Sequence, residues 1–160
     1  MNLSQAIVNV DLEEVGTVEV GANNCGEKIQ EYQIATWLNP DPWPWCAAFC
    51  CWCLYEALQL VGGIKDKDRC KDASAYGWEK WAKQKGHEVF PEYAVAHPGD
   101  FVVFDFSHIG IVLSDEGDLI KTVEGNVGKE GAKRDSKEGD GVYVRHRKRE
   151  LVRSFIRLNL

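Results

Sequence analysis

Six cysteines and four histidines are the side chains of this 160-residue chain best suited to covalent chemistry near neutral pH. The cysteines are Cys25, Cys46, Cys50, Cys51, Cys53 and Cys70, with four of the six crowded between 46 and 53. A cysteine attacks a carbonyl as the thiolate, and a free thiol ionises only at about pH 8.5 unless its surroundings help. A helix N-terminus helps, because its first backbone N–H groups lack partners and carry partial positive charge. Cys46 is the cysteine placed for this. Pro40, Pro42 and Pro44 exclude a helix just before it, since each lacks an N–H and restricts its predecessor. From Ala47 to Leu60 the chain is largely apolar, without Gly or Pro, which predicts a buried helix beginning at about Cys46. Cys50 and Cys53 fall on the same helical face four and seven residues later, and Cys51 points elsewhere. They read as small apolar filler. The rival reading is a metal site, but zinc ligands come mostly as loop-borne pairs, and a second cluster to complete four ligands is missing, although a His could join. Crowding in one segment argues against a disulfide scaffold.

A thiolate needs a base. His87 and His146 stand in polar contexts and His97 precedes a proline turn. His108 opens an apolar run, His108-Ile109-Gly110-Ile111, so a strand would hold it rigidly beside a helix N-terminus in the facing layer. Gly110 would permit close approach of backbone or substrate. The base in turn needs an acceptor that fixes its tautomer. Glu124 and Asn126 are two apart at the end of the next apolar run, on one face of an extended chain. Either could meet His108; a polar strand end also reads as a plain turn.

These groups depend on the elements that carry them. Leu3, Ala6, Ile7 and Val10 predict an amphipathic helix over 2–14, and further helices are expected at 27–37, 46–60 and 72–85. Glycines punctuate them at Gly16, Gly62-Gly63 and Gly86. The second half reads as strands at 101–106, 108–113, 119–124, 142–145 and 154–158, with an exposed Gly-rich, charged loop over 127–140. Helices first and strands second predict an α+β fold with an antiparallel sheet.

Composition bounds the function. The chain is 44% hydrophobic and 28% charged, as in soluble globular proteins. Its length predicts one domain over 1–160, which buries roughly 70% of its unfolded surface without a staple. A net charge of −6 argues against nucleic acid as a partner. The basic run Arg145-His146-Arg147-Lys148-Arg149 is read as a solvated turn between two strands, the alternative being contact with an anionic polymer. No run approaches 18 apolar residues, so no membrane insertion is expected. The first residues lack a basic start followed by an apolar run, so synthesis and retention in the cytoplasm are expected. Six Trp, five Tyr and six Phe serve as core fillers or line a groove; Tyr32, Asp41, Trp43 and Trp45 are groove candidates from their nearness to Cys46.

Taken together, these segments resemble the CHAP-type peptidoglycan hydrolases. The proline-rich loop followed by Trp45-Cys46-Ala47-Ala48-Phe49 and Trp52-Cys53-Leu54 is similar to the family's nucleophile region. Pro98-Gly99-Asp100-Phe101-Val102-Val103-Phe104 with Ser107-His108-Ile109-Gly110-Ile111-Val112 resembles its histidine region, and Glu124-Gly125-Asn126 its third element. The resemblance implies a papain-like α+β fold and hydrolysis of a wall amide, at the N-acetylmuramoyl–L-alanine bond or within the peptide stems and bridges. It implies Cys46 as nucleophile, His108 as base, Glu124 as its orienter and Asn126 as an assistant. The expected partner is bacterial peptidoglycan, reached after release from the cytoplasm, by a monomer without a cofactor. Some relatives carry an acidic calcium-binding loop before the cysteine; here Asp41 stands alone among prolines, and neither calcium nor another metal is expected. Nor is there length for a separate wall-binding domain, so affinity would have to come from the catalytic groove. The competing readings are a papain-like protease or amidase on another substrate, and a silent wall- or metal-binding module.

Overall fold

Asn2 starts the first helix in the computed structural model, which describes residues 1–63, 65–130 and 139–160. Its side chain accepts from the Gln5 backbone N–H while the Gln5 side chain takes the Asn2 N–H. This reciprocal cap satisfies two donors that a helix end otherwise leaves open. The helices are α1 (Leu3–Glu13), α2 (Glu27–Ile34), α3 (Cys46–Val61) and α4 (Ala75–Gln84). The strands are β1 (Glu88–Phe90), β2 (Phe101–Phe104), β3 (His108–Asp115), β4 (Leu119–Val127), β5 (Gly141–Lys148) and β6 (Val152–Arg157). They form an antiparallel sheet in the order β1-β6-β2-β3-β4-β5. The fold is α+β, as the order of the segments predicts.

Helix α3 is the hub. It is apolar nearly all round, and α1, α2, β3 and β4 pack against it, which is what an apolar helix requires. Phe49 and Leu54 of α3 join Trp78 of α4 and Phe101, Ile111, Val123 and Ile156 of the sheet in one core. Val102, Phe104, Val112, Ile120 and Phe155 form a second cluster. By strand alternation this cluster lies on the opposite sheet face. Both faces of the central strands are therefore covered, and β2 reads Phe-Val-Val-Phe without a polar position.

Four local outcomes differ from the expected elements. Helix α2 stops at Ile34, because the Thr36 hydroxyl donates to the Gln33 carbonyl and accepts from the Leu38 N–H, turning the chain out. Helix α4 starts at Ala75, where the Ser74 side chain accepts from the Gly77 N–H. Strand β1 is a three-residue edge strand, too short to show a period. The reading of the basic run as a solvated turn is overturned: β5 continues to Lys148, and Arg145 and Arg147 are both buried at 1% exposure. Residues 131–138 of the expected charged loop lie outside the described residues. No described helix is long and apolar enough to cross a membrane.

Candidate active site

Cys46 is the first residue of α3. Trp45 before it makes no side-chain cap, so no capping side chain competes with the sulfur for the Ala47 N–H. Burial pushes the Cys46 thiol up, but the positive imidazole of His108 and the N–H groups of Ile109 and Ala47 outweigh it and bring the thiol below its ordinary range. Cys46 is 8% exposed and opens on a cleft of about 280 Å³ lined by Leu38, Trp43, Pro44, Ala73, Ser74, Ala75 and Ser107. Apart from the thiol, the lining carries no ionisable side chain. Cys50 and Cys53, by contrast, are fully buried, and burial drives both thiols well above their ordinary range. They are filler, as their positions suggest. Among the described residues there is no group of three or more His, Cys, Asp or Glu that could hold a metal ion.

His108 opens β3 directly after Ser107, a residue with φ of 59°. Such a conformation is uncommon outside glycine, and here the hydroxyl of Tyr76 on α4 secures it. That hydroxyl donates to the Asp105 carbonyl at 2.5 Å and accepts from the Ser107 N–H at 3.1 Å. The imidazole stacks with Phe104 and Phe106, at interplanar angles of 22° and 10°. Its Nε2 lies 2.7 Å from Glu124 Oε1. Its Nδ1 has no hydrogen-bond partner elsewhere and is the nitrogen left for the Cys46 sulfur. Burial alone would lower the His108 pKa, but Cys46 and Glu124 outweigh it and raise it to about 9.

Glu124 is fully buried on β4. Gly110 of β3 makes room for it: a Cβ built there would stand 2.6 Å from Glu124 Cγ. So this glycine admits the carboxylate's own side chain. Oε2 accepts from the Thr122 hydroxyl at 2.5 Å. Arg147 closes the shell, with Nη2 2.6 Å from Oε1 and Nε 3.0 Å from Oε2. Burial would raise the Glu124 pKa, but the charges and hydrogen bonds of His108 and Arg147 hold it well below the usual carboxylate range. Sequence reasoning misses Thr122 and Arg147. The signal available was parity: Thr122 pairs with Arg145 and Ile120 with Arg147, so a strand through the basic run puts Arg145 and Arg147 on the Glu124 face.

The other candidates divide. Asn126 makes no hydrogen bond to His108. The β4–β5 register shifts after Glu124, and Asn126 adopts φ of 62°, which breaks the two-residue alternation that would align it with Glu124. Its amide is buried without a hydrogen-bond partner. Tyr32 and Trp45 are wholly buried, stacked on each other at 5.6 Å, and so are core rather than groove wall. The Tyr32 hydroxyl donates to Glu14 and the Trp45 indole to Glu19. Trp43 is half-buried in the cleft wall, its indole bound to the Asn39 carbonyl. Asp41 is exposed outside the cleft lining, and its carbonyl accepts from the buried Gln33 amide, which also reaches the Trp43 carbonyl. Gln33 thereby fastens the proline loop to α2.

A helix-borne cysteine facing a strand-borne histidine, across an antiparallel sheet, defines a papain-like α+β fold. The CHAP domain matches residues 38–126, more than half of the chain, and the chain belongs to that family. The matched span holds Cys46, His108, Glu124 and Asn126, and stops short of Arg147. CHAP domains are in general amidases and peptidases of peptidoglycan. The fold is similar to that in the crystal structure of Ly7917, with 16% identity and a TM-score of 0.53, over 96% of this chain and 61% of that one. The chain thus spans less than two thirds of that protein. No curated protein matches it.

Proposed function

We propose that the protein hydrolyses an amide bond of bacterial peptidoglycan through a Cys46 acyl-enzyme. The observation that supports this best is the order of contacts: a thiol at a helix N-terminus on an uncharged cleft, an imidazole with one nitrogen left for it, and a buried carboxylate on the other nitrogen. The Cys46 thiolate adds to the carbonyl carbon. The oxyanion is held by the Cys46 backbone N–H together with a second donor. As the C–N bond breaks, His108 imidazolium gives its Nδ1 proton to the leaving amine. Water then attacks the thioester, neutral His108 takes its proton, and the acid leaves as the thiolate is restored. Glu124 keeps the imidazole in one orientation throughout. In this reading the domain spans 1–160 and acts on the wall after release from the cytoplasm.

Cys46→Ala tests the reading. It abolishes clearing of a suspension of walls while the circular dichroism spectrum stays unchanged; a variant that still clears walls overturns the assignment. Mass spectrometry of the wall fragments from the unaltered protein separates an N-acetylmuramoyl–L-alanine amidase from a stem or bridge endopeptidase by the new termini it leaves.

A further inference from the structure

Arg147 lies beyond the matched residues 38–126, yet it is wholly buried against the centre of the site. Three of its contacts reach Glu124, at 2.6, 3.0 and 3.1 Å. Two donors in a fixed plane grip a carboxylate more firmly than a point charge does. The guanidinium also lies over Phe104 and Phe106, 5.6 and 5.3 Å from their centroids. Those are the rings that stack with His108. Arg147 therefore touches both supports of the imidazole, the carboxylate on its Nε2 and the aromatic pair beside its ring.

We propose that Arg147 is a positioning residue: it locks Glu124 in place and balances its charge, so that His108 is kept as the imidazolium partner of the Cys46 thiolate. This rests on the function proposed above for Cys46 and His108.

Charge balance supplies the physical reason. Isolated buried charges are costly and are neutralised by protonation unless paired. The Cys46 thiolate, His108 imidazolium, Glu124 carboxylate and Arg147 guanidinium sum to zero. Removing Arg147 takes away the positive charge in direct contact with Glu124, which favours uptake of a proton in the buried cluster. Cys50 on α3 bears on Glu124 as a thiol whose ionisation burial suppresses, and Thr122 on β4 is uncharged. Arg145 on β5 donates to the Gly128 carbonyl, is opposed by the charge of Arg147 and is drawn by both Glu124 and Glu130, so it offsets only part of what Arg147 supplies.

The test uses Arg147→Met and Arg147→Lys in the full chain, with folding checked by circular dichroism. The rate of Cys46 alkylation by iodoacetamide is followed against pH by mass spectrometry of the Cys46 peptide, and wall clearing is followed against pH in parallel. Removal of a partnered buried charge shifts a neighbouring ionisation by about one pH unit or more. In Arg147→Met the alkylation midpoint therefore moves up by about that much, and clearing near neutral pH falls about tenfold with partial recovery at higher pH. Arg147→Lys keeps the charge and loses the fork, so its midpoint returns toward the original while clearing stays slow. A folded Arg147→Met with an unmoved midpoint overturns the inference, as does an Arg147→Lys that clears walls at the original rate. Should Arg147→Met not fold, Arg147→Lys still decides it. If the unaltered protein alkylates at low pH but clears no walls, the substrate reading fails, and the midpoint shift still tests the role of Arg147.

Discussion

His108 Nε2 and Glu124 Oε1 are 2.7 Å apart, and this contact commits the nitrogen farther from the backbone to the carboxylate. The proton handled at Cys46 must therefore travel through Nδ1. The same carboxylate receives Arg147, so Glu124 joins two cations. Glu124→Gln keeps the shape but leaves Arg147 buried without its counter-charge. Breaking a buried pair in this way costs about 3 kcal/mol or more. Thermal melting of Glu124→Gln falls by roughly 10 °C, together with loss of wall clearing. A melting point near that of the unaltered protein would show that the pair is not what holds this end of the sheet.

The acid and alkaline limits of activity follow from the thiol and the imidazole. The Cys46 thiol ionises below its ordinary range, and the imidazolium persists to about pH 9. Wall clearing is thus bell-shaped in pH, and it declines through about pH 9 as His108 loses its proton. The sign for stability is the same. His108 is raised above its ordinary 6.5, so its contribution is complete below that value and is lost as pH rises through about 9. Chemical denaturation at pH 6, 8 and 10 reads this out. A midpoint that His108→Ala leaves with unchanged pH dependence would contradict it.

Two glycines set the spacing of the site. A Cβ at Gly110 would press on Glu124 Cγ from 2.6 Å, and one at Gly125 would meet Phe49 Cβ at 2.8 Å and Trp45 Cζ3 at 2.9 Å. Overpacking of this kind costs about 1–3 kcal/mol. Gly110→Ala tilts Glu124 away from His108 and mainly slows clearing. Gly125→Ala pushes β4 off the start of α3 and mainly lowers the melting temperature. Comparing rate with melting temperature for the pair separates the two effects.

Asp11 on α1 is buried with both carboxylate oxygens unpartnered. Desolvation raises its pKa to about 9, against a smaller lowering from the Leu12 N–H. The folded state therefore keeps a proton that the unfolded chain gives up near pH 4, and stability falls with pH from there to about 9. Asp11→Asn is neutral throughout and escapes this loss. Its melting temperature matches that of the unaltered protein at pH 4 and exceeds it at pH 8. Equal melting temperatures at pH 8 would show Asp11 to be charged in the folded state.

Much of this arrangement was legible in the chain itself, because local rules agree with the tertiary structure there. The prolines before Cys46 and the apolar run after it place the helix start without ambiguity, and the apolar runs place β2, β3 and β4. The failures occur where long-range contacts override local chemistry. A run of five basic residues looks solvated until the depth of Glu124 is known, and then two of its arginines must be inside. Asn126 looks aligned with Glu124 until the bulge is seen, since a period of two holds only in a regular strand. Tyr32 and Trp45 are near Cys46 in sequence, but their size makes them the packing that holds α3, which leaves Trp43 in the cleft wall.

The four buried groups at the site come from α3, β3, β4 and β5, so most of the chain must be in place before they meet. Such distant pairings form late, because closing a long loop costs entropy before any contact rewards it. A nascent or truncated chain that ends before β5 contains the cysteine, the histidine and the glutamate but lacks the second cation. It holds the reactive parts without the guanidinium that Glu124 meets in the complete fold. Completion of the β4–β5 pairing is therefore the step that brings the fourth group to the other three.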